Sequence, residues 1–388
     1  MPTPKVLIAG MSARAAAESA ARAGFEVAAI DAFGDLDAHY GVRSLSSLRG
    51  HDVPFTPHAV AVAARDIAAD AVVYLAGFEN DPEAVRDIAA GRVLWGNPPD
   101  VLERVRNPLM LMDAFRRRGI PAPDVLVKGA NAPNDPNEWL IKPLASGGGH
   151  GIRPWRSEIG RSPTVPPAWY LQRRVEGTPA SVVFVAARGR AVPLAVSRQL
   201  AGDAAFGAEG YRYCGNIVAA GDPAFTGEAR LVAAASSLAA AVAEEFGLVG
   251  LNGVDFIACD GAAYPIEVNP RWCASMELVE RRCARSLFEI HAAACERGEL
   301  PDADLLQAGR RAGAAGKAVV FARGGVVMGD TRAWLDDSTV RDVPHPGERI
   351  ATGHPICTVL AEAPDAAACY EALARRAGRI YAEIDARR

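Results

Sequence analysis

The residues best placed to do chemistry fall in two short stretches of the chain. The first, WLIKPLASGGGHGI at 139–152, is a strand-like run that presents Lys142 and is followed by Gly147, Gly148 and Gly149. A glycine loop lets backbone N–H groups close over a polyphosphate because no side chain intervenes, and the lysine adds a compact positive charge. It is not a Walker loop, since the lysine precedes the glycines and no G-K-[ST] follows. A flexible hairpin with a solvated lysine head is the plainer alternative. His150 inside the loop could reach a terminal phosphate or be polar filling.

The second stretch, GLNGVDFIACDGAAYPIEVNPR at 250–271, reads as two strands joined at Asp260-Gly261, a hairpin signal. Side chains alternate along a strand, so Glu267, Asn269 and Arg271 share one face while Val268 points into the core, and the hairpin can bring Asp255 alongside. Two carboxylates and an amide oxygen form a hard donor set suited to Mg²⁺, which keeps waters and binds nucleotide phosphates. Arg271 on the same face could stabilise a transferred phosphoryl group or hold an acidic substrate. The competing interpretation is a solvated hairpin with scattered charges.

The elements that must position these residues alternate at the start of the chain. A strand at 6–9, a turn at Gly10, a helix beginning near Ser12 and a strand ending at Asp31 give a βαβ opening. Further strands at 71–77 and in RVLWGN, with helices near 58–69 and 82–90, predict a parallel two-sided α/β sheet. Ser12 and Ala15 replace the second and third glycines of a dinucleotide fingerprint. Arg14 could hold an anionic substrate group at the helix start, or be a solvated arginine. Glu79 and Asn80 follow the third strand at the carboxyl end of the sheet, where ligands gather, and are candidate substrate contacts.

These motifs together resemble the ATP-grasp superfamily, which includes biotin carboxylase and D-alanine ligase. The resemblance implies an ATP-grasp fold of mixed α/β and α+β class, with ATP and Mg²⁺ as cofactors. It implies Lys142 on the α- and β-phosphates under a closing loop of Gly147, Gly148 and Gly149. It implies Asp255, Glu267 and Asn269 on the metal, and Arg271 at the reacting centre. The segment WYLQRRVEGTPASVVF at 169–184 resembles the hinge, which puts Gln172 near adenine and Glu176 near ribose. Arg198 in LAVSRQL falls where relatives place a basic phosphate or substrate ligand; a surface arginine is the alternative. Lys142, Arg198 and Arg271 are thus the expected catalytic cations. One departure is plain: many relatives carry an Asp-Lys pair in the helix opening the domain, and here that place reads Arg106-Asn107-Pro108. Either Arg106 takes over the lysine's contact or the contact is absent.

The expected organisation is an N-terminal pre-ATP-grasp α/β domain at 1–96, an ATP-grasp domain at 97–302 with a small mobile subdomain at about 124–176, and a C-terminal β-rich cap at 303–388. Polar stretches at 128–138 and 157–167 mark the edges of the small subdomain, and a helix is expected at about 365–385. His345 and His354 carry no metal-ligand spacing. The implied reaction joins a carboxylate to an amine through an acyl phosphate, releasing ADP and phosphate. The whole-chain pattern is similar to a branch associated with one-carbon cofactor biosynthesis of the tetrahydromethanopterin and methylofuran type, which suggests joining glutamate to tyrosine or tyramine. Two alternatives stay open: a bicarbonate-phosphorylating enzyme as in purine biosynthesis, and a catalytically silent nucleotide-binding regulator.

Composition narrows the partners. With 388 residues, 50% hydrophobic and 23% charged, the chain is long enough for two or three packed domains. A net charge of −4 gives no general attraction for nucleic acid or an anionic membrane. Seven cysteines without a C-x-x-C pair suggest reduced thiols rather than a disulfide framework. The sequence opens directly on a strand-like run and no long apolar stretch follows, so a cytoplasmic protein without a leader is expected. Small-molecule carboxylate and amine substrates are the expected partners, and a homodimer is compatible with the sequence.

Overall fold

The computed structural model describes residues 4–39, 44–47, 55–131, 133, 135, 138–155, 164–283, 285–302 and 313–386. The first elements are β1 (Lys5–Gly10), α1 (Arg14–Arg22), β2 (Glu26–Asp31), β3 (Ser44–Ser47), α2 (Pro57–Ala63), β4 (Ala71–Tyr74), α3 (Pro82–Ile88) and β5 (Val93–Leu94). The strands pair in parallel in the order β3-β2-β1-β4-β5. Both faces of β1 are covered: Val6 and Ile8 pack with the alanines of α1, and Leu7 and Ala9 with α2 and α3. That double burial is why the strand reads as an unbroken apolar run. Gly10 has a steric reason of its own, since a Cβ there would lie 2.5 Å from the Cβ of Leu75.

Two expected spans are shorter in the structure. The helix expected at 58–69 stops at Ala63, and the strand expected to run to 77 stops at Tyr74. The chain then turns through Gly77, at φ +107°, into a 3-10 turn at Phe78–Asn80. Side-chain caps fix the helix starts: Thr56 accepts from the Ala59 N–H and Asp81 from the Ala84 N–H, each followed by proline at the first helical position.

After α4 (Pro99–Val105), the Asn107-Pro108 pair starts α5 (Pro108–Arg117), with the Asn107 side chain accepting from the N–H groups of Leu109 and Met110. Then come β6 (Val125–Val127), β7 (Trp139–Pro143), β8 (Arg153–Pro154) and β9 (Trp169–Arg173), an antiparallel sheet ordered β6-β9-β7-β8 over Ile141, Trp155, Val165 and Leu171. Most of the polar loop expected at 157–167 and several positions in 128–138 lie outside the described residues.

The largest sheet is built from β10 (Thr178–Ala187), β11 (Arg190–Ala201), β12 (Tyr213–Ala219), β13 (Gly250–Cys259) and β14 (Ala262–Asn269), with α6 (Glu228–Phe246) between β12 and β13. Beyond it lie α7 (Met276–Cys283), α8 (Leu287–Arg297), β15 (Ala314–Phe321), β16 (Val326–Val327), β17 (Val340–Arg341), β18 (Arg349–Ile350), β19 (Pro355–Ala363) and α9 (Ala366–Asp385). Eight strands run in the order β14-β13-β10-β11-β12-β15-β19-β17, and β16 pairs with β18 separately. The expected boundary at 303 lies outside the described residues, and the strands after it continue the same sheet through the β12–β15 pairing. Alternation sorts the two faces. Ala180, Val182, Phe184, Val254, Phe256 and Val268 pack against α6, while Val183, Val185 and Leu251 face α7, α8 and α1. Asp255, Glu267 and Asn269, at the intervening positions, therefore point away from α6. Among the described residues, no helix is long and apolar enough to cross a membrane.

Candidate active site

On the hairpin side, Asp255 of β13 stands opposite Glu267 of β14, and Gly253 opposite Asn269. Asn269 Nδ2 donates to Asp255 Oδ2 at 3.0 Å, and Arg271 Nη2 donates to Asn269 Oδ1 at 3.1 Å. Gln199 Nε2, from the neighbouring part of the sheet, donates to Asp255 Oδ1 at 2.9 Å. Burial first, and then the charge of Glu267, push the Asp255 carboxyl up to about 7; Arg271 and the two amide donors only partly offset this. Such a carboxyl gains from an added cation.

The opposite wall comes from the small sheet. Lys142 lies opposite Tyr170 in the β7–β9 pair and is buried, with Nζ donating to Gln172 Oε1 at 3.0 Å. Gln172 Nε2 in turn reaches the carbonyl oxygen of Ile266 at 3.4 Å, one residue before Glu267. The glycine loop folds back over this wall: Gly148 and Gly149 have φ of +60° and +76°, and the Gly148 carbonyl accepts from the Tyr213 N–H at 3.0 Å. A Cβ at Gly149 would collide with the Tyr211 carbonyl oxygen, so this closure requires glycine.

Between the walls is a cavity lined by Arg106, Lys142, Gly147, Gly149, Tyr170 and Glu267, among others. Arg106 Nη1 donates to Glu267 Oε1 at 2.5 Å and to the Val268 carbonyl at 3.1 Å. Its Nη2 donates to Asn80 Oδ1 at 2.8 Å and to the Ser146 carbonyl at 3.1 Å. Its Nε is buried with no acceptor. An unfilled buried donor is costly, and here it belongs to a residue that lines the cavity together with Lys142 and the glycine loop. That donor set fits a bound polyphosphate. Among the described residues no group of three or more His, Cys, Asp or Glu side chains could hold a metal. A divalent ion on Asp255, Glu267 and Asn269 would therefore rest on two carboxylates and an amide, and complete its shell with phosphate oxygens and water, as magnesium characteristically does.

The structure brings Lys142, Gly147, Gly149 and Glu267 to this one cavity, with Gly148 in the same loop and Asp255, Asn269 and Arg271 joined to Glu267's strand by hydrogen bonds. The structure places the other expected site residues as follows. Gln172, expected at adenine, lies under Lys142 and holds its ammonium. Glu176, expected at ribose, has a side chain 87% exposed and is paired only loosely with Arg174 at 3.9 Å. Arg198 is not a catalytic cation on this geometry: it pairs with Ala180 of β10, on the α6 face, and its Nε donates to buried Asp222 at 2.9 Å. Its neighbour Gln199 takes the site-facing position, because adjacent strand residues point to opposite faces.

Arg14 and Glu79, expected as substrate contacts, are both buried and paired. Arg14 Nε donates to Asp342 Oδ1 at 2.7 Å, and its Nη atoms reach Glu18 and both oxygens of Glu277 at 3.2 to 3.3 Å. Glu79 accepts from Arg271 Nε at 2.8 Å. His150 is exposed, and His345 Nε2 lies 2.8 Å from the Gly34 carbonyl. All seven cysteines are free thiols. Sequence reasoning missed Gln199, whose only local signal was its place one residue after Arg198, and left Arg106 undecided.

Residues 105–275 match the family model for an ATP-grasp domain. Comparison with curated proteins gives no significant match. Among solved structures, Rhizobium etli pyruvate carboxylase superposes with a TM-score of 0.71 and 17% identity over 97% of this chain, which spans only 37% of that longer protein. An L-amino acid ligase from Bacillus licheniformis gives 0.69 and 14% identity over 97% of both chains. A carboxyaminoimidazole ribonucleotide synthase from Aspergillus clavatus, complexed with ATP, gives 0.68 and 17% identity over 98% of this chain and 99% of that one. At these identities the likenesses speak for the fold, and the domain match speaks for the nucleotide site. Residues 105–275 thus match an ATP-grasp domain, and the chain as a whole shares the fold of these ATP-grasp structures.

Proposed function

We propose that this protein is an ATP- and Mg²⁺-dependent carboxylate–amine ligase. The observation that carries this reading is the cavity lined by Lys142, the glycine loop, Glu267 and Arg106, whose Nε has no acceptor. In it the triphosphate lies between the two sheets. Lys142 and the loop N–H groups would neutralise its charge, and Asp255, Glu267 and Asn269 would hold a magnesium ion, which supplies further charge neutralisation. A substrate carboxylate attacks the γ-phosphorus, ADP leaves, and an amine then displaces phosphate from the acyl phosphate. Arg271, hydrogen-bonded to Asn269, would stabilise the charge that builds on the transferred group. The closed loop keeps water from the labile intermediate.

For the substrates, glutamate as the acid and tyrosine or tyramine as the amine, in one-carbon cofactor biosynthesis, follow from the sequence resemblance alone. The L-amino acid ligase similar along its whole length favours an amine acceptor. The carboxyaminoimidazole ribonucleotide synthase keeps the bicarbonate alternative as an outcome to be measured. The test is a screen of carboxylate and amine pairs for phosphate release, with products weighed by mass spectrometry and bicarbonate as a separate arm. ADP formation that requires both an acid and an amine supports the ligase; bicarbonate-dependent ADP formation without an amino acid moves the assignment to the carboxylase type. No ADP from any pool leaves a silent nucleotide-binding regulator.

A further inference from the structure

We infer that the 3-10 turn Phe78–Asn80 of the N-terminal unit is a positioning element for the two guanidiniums that flank Glu267: Glu79 sets Arg271, and Asn80 sets Arg106. The inference rests on the ligase reading above. Glu79 is 2% exposed, and both its oxygens are committed. Oε1 accepts from Arg271 Nε at 2.8 Å and lies 2.6 Å from Nη2, while Oε2 accepts from the Gly77 N–H at 2.6 Å. Gly77 can point that N–H back at the turn because its φ of +107° is open to glycine. The guanidinium held this way spends its remaining donors on the Trp272 carbonyl and on Asn269 Oδ1, both at 3.1 Å. Burial alone would raise the Glu79 carboxyl, but the charge of Arg271 overcomes it and keeps the group below the usual carboxylate range, so the pair is ionised at neutral pH.

The next residue acts on the other side of Glu267. Asn80 Oδ1 accepts from Arg106 Nη2 at 2.8 Å, and its Nδ2 donates to the Ser146 carbonyl at 3.3 Å, in the loop that carries the glycines. Arg106 binds the same Ser146 carbonyl and Glu267. One side-chain amide thus ties a cavity arginine to the closing loop. No described residue before 97 lines the cavity, so the N-terminal unit reaches the reacting groups through these two adjacent residues. Glu79 is accordingly a positioning residue for Arg271 and makes no substrate contact.

The experiment uses the full chain with Glu79→Gln, Glu79→Asp, Asn80→Ala, Arg271→Gln and the Glu79→Gln/Arg271→Gln double variant. ADP formation is followed with the substrate pair or as background ATP hydrolysis, and ADP affinity by equilibrium binding. Glu79→Gln is expected to lower kcat about 10- to 100-fold, the range typical of lost orienting partners, with ADP affinity within about twofold. In the Arg271→Gln background the same change is expected to add almost nothing, because the two residues act as one unit. Glu79→Asp, which keeps the charge, should recover part of kcat. Asn80→Ala is expected to weaken ATP binding about tenfold, with a smaller effect on kcat. Additive losses in the cycle, or a loss of thermal stability with kcat per folded molecule unchanged, overturn the inference. If Glu79→Gln does not fold, Asn80→Ala decides alone, and unchanged ATP binding sinks it. Activity that survives both Lys142→Ala and Glu267→Ala instead rejects the site itself, a result independent of Glu79.

Discussion

Arg14 is a buried and Arg106 a half-buried arginine beside a helix, and both meet carboxylates from distant parts of the chain, yet their donors are spent differently. Arg14 lies among Asp342, Glu277, Glu18 and Asp37, and Lys317 shares Glu277 at 2.6 Å. Every nitrogen is engaged, and the contacts join α1 to α7 and to the segment after β17. Arg106 has one carboxylate, Glu267, three neutral oxygens and an Nε with nothing to bind, on the wall of a cavity. The carboxylates differ in the same sense. Burial would raise Glu277, but Arg14 and Lys317 hold it well below the usual range, whereas Asp255, which stands opposite Arg106's partner Glu267, is pushed up to about 7. A saturated network is architecture; an unsaturated one facing a cavity awaits a ligand.

The largest effect is expected from breaking the saturated side. Arg14→Ala leaves Glu277, Asp342 and Asp37 buried with one cation, Lys317, and should cost about 3–5 kcal/mol of stability in urea unfolding. ATP turnover per folded molecule should change little. A loss of turnover without a loss of stability would place Arg14 with the substrate after all. The pH dependence has a definite sign. Glu277 has a depressed folded pKa, so its contribution is present above the unfolded carboxylate value of about 4.3 and is lost as pH falls through the folded value. Glu277→Gln should therefore lower stability at neutral pH and flatten its decline in acid.

Breaking the unsaturated side should show in chemistry instead. Lys142→Ala and Glu267→Ala should each reduce ADP formation by about 10²- to 10³-fold, as expected for removing preorganised charge from a phosphoryl-transfer site. Circular dichroism should stay native. Arg106→Gln sharpens the contrast at lower amplitude: it removes one phosphate donor and the tie to Glu267, so ATP binding should weaken about tenfold, or about 1.4 kcal/mol. Unchanged affinity would mean that the empty Nε is not a nucleotide contact.

Lys142, the glycines and the Asp255, Glu267, Asn269 and Arg271 set were legible because each group is carried by a few neighbouring residues whose geometry follows from strand alternation and a two-residue turn. The parallel N-terminal sheet was legible for a similar reason, since β1 and β2 are apolar on both faces. Arg14 and Glu79 were not, because their partners Glu277 and Arg271 lie 263 and 192 positions away, and a helix start or strand end looks the same with or without them. The continuation of the large sheet through β15 was hidden too: the β12–β15 pairing spans the connection from Ala219 to Ala314 and has no local signature. Asn107-Pro108, which stands where relatives carry the Asp-Lys pair, proved to be a helix cap, and Arg106 just before it binds Glu267 and lines the cavity.

The smallest expected effects on turnover test how far alternation alone can be trusted. Arg198 and Gln199 are neighbours on β11, with one side chain toward α6 and Asp222 and the other toward Asp255. Arg198→Ala removes a charge-assisted hydrogen bond to a buried carboxylate and should cost about 1–3 kcal/mol, with ATP turnover within about twofold of the parent. Gln199→Ala frees Asp255 from one of its two amide donors, and should change the Mg²⁺ concentration needed for half-maximal ADP formation by a few-fold while leaving stability nearly unaltered. If Arg198→Ala proves to be the variant that loses turnover, β11 is turned over relative to its neighbours, and the assignment of the two sheet faces, on which the position of Asp255 depends, is wrong.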